Sequence, residues 1–180
     1  MSDQLHHLEL RWRDNGATEE PEIQILVNGR DFTDIVHDWE LNIAREAGEP
    51  TVAGGYGGIP KHFARDLAAA WLDVPEPGNH LSYWDGEQVI VLACTCGELG
   101  CWPLLAEVDI TEHEVRWSNF EQPHRSARHD EEVVVPGRSP RARKRVWSYE
   151  GFGPFVFDRA AYTSAIDHLL RTTPGGLNEN

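Results

Sequence analysis

Apolar and polar side chains alternate from the start of the chain, with Leu8, Leu10 and Trp12 on one side and Glu9, Arg11 and Arg13 on the other. That two-residue period is the mark of a half-buried strand. Residues 22–27 are rich in β-branched side chains, Asn28-Gly29 is a hairpin signal, and Phe32 to Val36 supplies a return strand. Together they predict an N-terminal β-hairpin. Trp39, Ile43 and Ala47 fall four apart and predict a short helix over 39–47, stopped by Gly48 and Pro50. A stronger helical stripe, Phe63, Leu67, Ala70 and Trp71, follows Pro60 and predicts a helix over about 60–73.

The second half begins with the apolar run Val89 to Ala93, which suits a strand covered on both faces. Gln88 to Cys96 forms the outward arm of a hairpin, residues 97–100 its turn, and Cys101 to Ile110 the return. Thr111 to Phe120 adds a third strand, with Val115 and Trp117 on one face. Residues 121–145 lack apolar periodicity and form a long basic loop. Pro154 to Phe157 supplies a last strand, and Asp158 caps a helix that turns Ala161, Tyr162, Ala165, Ile166, Leu169 and Leu170 inward as far as residue 172. Pro174-Gly175-Gly176 opens a frayed tail over 174–180. The elements assemble as one α+β domain spanning 1–180, an antiparallel β-meander centred on the cysteine-bearing hairpin, with the N-terminal β-hairpin beside it and two main helices packed on the sheet.

Composition narrows the picture. A chain of 180 residues with 40% hydrophobic and 26% charged side chains is long and apolar enough to bury a core. No apolar run reaches the roughly 20 residues that span a bilayer, and the N-terminus lacks a basic region followed by an apolar one, so a cytoplasmic protein is expected. Three cysteines are too few and too odd in number for a secreted disulfide framework, which predicts reduced thiols. The net charge of −14 argues against nucleic acid and anionic membrane and leaves a basic protein partner as the complementary class.

The densest potential chemistry is the segment Cys94-Thr95-Cys96-Gly97-Glu98-Leu99-Gly100-Cys101-Trp102. On a strand Cys94 and Cys96 project to the same face, and Cys96 and Cys101 meet across the turn within reach of a disulfide. Four readings stand: buried structural thiols, a reversible Cys96/Cys101 redox pair, a zinc site completed by His113, His124 or His129, or a catalytic thiolate, for which no local signature is present. The spacing alone completes no four-ligand zinc motif. Gln122-Pro123-His124-Arg125 follows the strand of Trp117 and offers His124 and Arg125 to a small anionic ligand, a carboxylate or a phosphate, with Trp102 and Trp117 either supporting that surface or lying in the core. Gly54-Gly55-Tyr56-Gly57-Gly58 lacks the endings of a phosphate loop and reads as a place where backbones pass closely. The run Arg141 to Arg145 looks like a nucleic-acid patch in isolation, but on this acidic chain it reads as local neutralisation.

Cys96-Gly97-x-x-Gly100-Cys101-Trp102-Pro103-Leu104, then Trp117-x-x-Phe120-x-Gln122-Pro123-His124-Arg125, then Gly153-Pro154-Phe155-x-Phe157-Asp158-Arg159-x-x-Tyr162 resemble a family of bacterial proteins, mainly actinobacterial, without an assigned activity. The resemblance covers roughly residues 22–170 and implies one cytoplasmic α+β domain. It transfers no catalytic residue. The expected function is that of a small acidic binding or interaction module. The alternatives are a thiol-redox or zinc-binding protein using Cys94, Cys96 and Cys101, and an enzyme acting on a small anionic substrate through His124 and Arg125.

Overall fold

The computed structural model describes residues 4–14, 16, 19–83, 86–126 and 147–176. β1 (Leu8–Arg13) and β2 (Glu22–Val27) pair antiparallel along their full length, Leu8 opposite Val27 and Arg13 opposite Glu22. Asn28 and Gly29 turn the chain at positive φ into β3 (Arg30–Asp31), which pairs with the end of β2. Here the expected return strand is corrected. It stops after two residues, because the Asp31 side chain accepts the backbone N–H of Thr33 at 3.0 Å and caps α1 (Phe32–Glu46). This helix absorbs both the expected strand over Phe32–Val36 and the short helix over 39–47. The β-branched Thr33, Ile35 and Val36 favour a strand locally, but Phe32, Val36, Glu40 and Ala44 all bury along one helical stripe, and packing outweighs propensity.

The glycine-rich segment forms β4 (Tyr56–Gly57) and β5 (Ile59–Pro60) and joins two sheets. β5 pairs with β2, while β4 pairs with the end of β7 (Gln88–Cys94), Tyr56 opposite Cys94. Between them, a Cβ on Gly58 would sit 2.1 Å from the carbonyl oxygen of Ile23, so only glycine passes there. Close backbone approach is therefore the role of this segment. α2 (Ala64–Trp71) follows a short 3-10 turn at Lys61–Phe63.

β6 (Ser82–Tyr83), β7, β8 (Leu104–Ile110), β9 (Glu114–Glu121) and β10 (Phe155–Asp158) complete the second sheet, whose order is β10-β9-β8-β7-β4 with β6 on β7. Asp158 then caps α3 (Arg159–Arg171) through the backbone N–H of Ala161. The architecture is α+β, with three helices packed against curled antiparallel sheets. Trp117, Trp71, Tyr162, Phe157 and Phe32 form the centre of the core. Trp117 is fully buried and donates its indole N–H to the Tyr162 hydroxyl at 3.1 Å, which resolves its role in favour of the core.

β7 ends at Cys94 and β8 begins at Leu104, so the hairpin connection is longer than the expected turn and Cys96 and Cys101 lie in it rather than on paired strands. Among the described residues, no helix is long and apolar enough to cross a membrane. Most of the expected basic loop, with His129 and the run Arg141 to Arg145, and the end of the tail lie outside the described residues.

Candidate functional site

The connection between β7 and β8 folds back on its own stem. The Gly97 N–H donates to the Cys94 carbonyl at 2.9 Å with Gly97 at a positive φ, and Leu99 is buried beneath the loop. This turn brings the Sγ atoms of Cys94, Cys96 and Cys101 within 4.8 Å of one another. Cys94 is half-buried and the other two are exposed, which removes the reading of the three as buried structural thiols. A metal–sulfur bond of about 2.3 Å in tetrahedral geometry sets sulfurs about 3.8 Å apart, so the cluster needs only a small contraction to grip an ion.

The thiols are not equivalent. A hydrogen bond from the Glu98 backbone N–H, with smaller help from the Cys94 and Cys101 side chains, holds the Cys96 thiol below its ordinary value. Cys101 is pushed up to about 11 by its hydrogen bonds to Cys94 and Cys96 and by their negative charge. One thiolate therefore forms readily, and further deprotonation calls for a cation among the sulfurs.

Of the two described imidazoles suggested as a fourth ligand, His113 and His124, His124 is the one beside the loop. Its Nε2 is engaged with the Gly100 carbonyl at 3.1 Å. It is not part of the close cluster. His113 stands beyond the opposite end of β8, in the turn before β9.

A second set of side chains supports the tip from beneath. Gln122 caps the short turn Pro123–Arg125 by accepting the His124 N–H at 2.6 Å. The His124 ring stacks on Trp102, with centroids 6.0 Å apart at 18°. The Arg125 guanidinium lies 5.7 Å from the Trp102 ring and 5.3 Å from that of Trp147, and it is ion-paired with Glu49. The structure thus gathers Trp102, His124 and Arg125 at the cysteine tip and leaves Trp117 elsewhere. Arg125 is buried with its charge already matched, so the expectation of a free guanidinium awaiting an anion is corrected. Among the described residues, four buried N–H donors in this set, on Trp102, Gln122, Arg125 and Trp147, have no acceptor.

Sequence reasoning passed over the buried Glu40. Its carboxylate accepts the Gly54 N–H at 2.7 Å, the Tyr56 hydroxyl at 2.6 Å and the Tyr149 hydroxyl at 2.5 Å. Burial pushes this carboxyl above the ordinary glutamate value, against the pull of those three donors. The same burial, together with the neighbouring charge, drives both phenols far upward. Glu40 ties α1 to β4, the strand that carries the partner of Cys94, and to the segment after Trp147. A charged residue between Val36 and Ala44 on an otherwise apolar stripe is the signal that marks it.

Compared with family models, with curated proteins and with solved structures, the chain matches none.

Proposed function

We propose that this chain is a small acidic binding protein whose site is the tip of the β7–β8 hairpin and whose ligand there is a zinc ion held by the thiolates of Cys94, Cys96 and Cys101. The mutual approach of the three Sγ atoms within 4.8 Å carries the reading. Structural zinc sites close themselves with four protein ligands, whereas among the described residues this tip offers three, which leaves one position to a further ligand or to water. A trio of free thiols, two of them exposed, suits a reducing compartment, and the cytoplasm is the location that goes with it. Two of the motifs behind the family resemblance, Cys96 to Leu104 and Gln122 to Arg125, meet at this tip, which supports a shared site in that family.

Metal analysis of protein purified without chelator, followed by a cobalt titration, tests the reading. One ion per chain with thiolate-to-metal charge-transfer absorption is expected. The double variant Cys96→Ser/Cys101→Ser should lose it while its far-ultraviolet dichroism stays unchanged. Three titratable thiols and no ion under excess zinc would overturn the proposal, and fewer than three thiols without metal would move the site to a redox pair.

The four donors that lack an acceptor among the described residues favour a second reading, a small acceptor-bearing ligand beside Arg125 and His124. Saturable quenching of tryptophan fluorescence by acetate or phosphate would support it, and a flat titration would remove it.

A further inference from the structure

A groove of about 540 Å³ opens beside β7, β8 and β9 and under the segment Tyr149 to Pro154. Its lining includes the carboxylates of Glu107, Glu121 and Glu150, and no cationic side chain among the described residues. In its wall sits Gln88, which is 1% exposed. The Gln88 amide nitrogen donates to the Asn119 carbonyl at 2.9 Å, which fixes the side chain and assigns its two ends, while its Oε1 is buried with no donor among the described residues. Phe120 and Phe152, edge to face at 4.9 Å, supply aromatic surface in the same groove. The groove thus presents acceptors, negative charge and aromatic rings together, and the buried Oε1 asks for a donor.

We infer that this groove receives the guanidinium of an arginine side chain on a partner protein. Guanidinium carries five N–H donors in a planar fork, enough to serve carboxylates and the Gln88 carbonyl at once, and its face packs on aromatic rings. An ammonium offers three donors around a point charge and no such face. The groove is open rather than enclosing, which suits a side chain presented by a larger body over a free small molecule. The net charge of −14 draws a basic partner to the same surface. The inference is independent of the thiolate site.

Titration of the full chain with acetyl-Gly-Arg-Gly-amide, followed by amide NMR shifts, provides the test. Saturable shifts confined to residues 88, 107, 118–121 and 149–154 are expected, with the lysine counterpart weaker by about 5-fold or more. Glu107→Gln and Glu150→Gln should each weaken binding by roughly 3- to 10-fold, whereas Glu76→Gln and Glu112→Gln, at exposed acids elsewhere, should leave it unchanged. Glu150 is itself exposed, so its variant tests the groove without disturbing the core. No saturable shift, equal binding of the lysine peptide, an equal effect of the control variants, or binding of free arginine as tight as that of the peptide would each overturn the inference.

Discussion

Tyr149 donates its phenolic hydrogen to Glu40 at 2.5 Å, joining two residues 109 positions apart in the chain. The bond fastens the segment that begins at Trp147 to the buried side of α1. Because burial lifts the Glu40 carboxyl above its ordinary value of 4.5, the folded protein holds that proton more tightly than the unfolded chain does. The resulting stabilisation is complete below about pH 4.5 and is lost as pH rises through the folded value. In Glu40→Gln this contribution disappears, so the stability gap between wild type and variant should narrow as pH climbs above 4.5. Urea unfolding across that range measures it. The variant itself should cost about 1–3 kcal/mol, since an amide cannot serve all three donors. A gap that widens with pH would show that burial does not govern this carboxyl.

Cys96 and Cys101 should differ in reactivity although both are exposed. The backbone N–H of Glu98 favours the Cys96 thiolate, and the neighbouring sulfurs disfavour that of Cys101. Brief treatment of the metal-free protein with iodoacetamide near neutral pH should label Cys96 several-fold faster than Cys101, read by peptide mass mapping. Cys94→Ala removes one of the hydrogen bonds that favour the Cys96 thiolate and should slow its labelling. Equal rates at the two sites would contradict the asymmetry.

The Arg125–Glu49 pair should respond unequally to loss of its two members. The Arg125 side chain is 5% exposed and that of Glu49 is 37% exposed. Glu49→Gln leaves a buried cation without its counter-ion and should cost about 2–3 kcal/mol, less than a fully buried pair because Glu49 is partly screened by water. Arg125→Met leaves a carboxylate that can turn to solvent and keeps a long side chain between Trp102 and Trp147, so its cost should be nearer 1 kcal/mol. Chemical denaturation of both variants checks the order, and the reverse order would mean that the guanidinium acts mainly through its rings.

The parts of the fold legible in the sequence are those where one local signal acts without a rival. The meander follows from the apolar run of β7 and the alternation in β9, and α3 follows from Asp158 and its inward stripe. α1 was hidden because Asn28-Gly29 is a genuine turn whose return strand lasts only two residues, and because Glu40 interrupts the stripe that would have revealed the helix. At the site, the cysteines and His124 were visible as neighbours of one hairpin. Glu49, which lies 76 residues from Arg125, and Trp147 were not, since only the closed fold brings them beneath the tip. Arg125 looks like a binding group in the sequence for the same reason, because its counter-ion comes from the residue after the turn that ends α1.

The cysteine loop is pinned by Leu99 and by the Gly97–Cys94 hydrogen bond at the end of a central strand pair. Its three thiols are thus gathered by a core built from other residues, and the ion of the proposed function would meet them already within 4.8 Å of one another. On that proposal occupancy and folding are separable. The ion would be a passenger, and a chain that released it would keep its shape and the capacity to take up another.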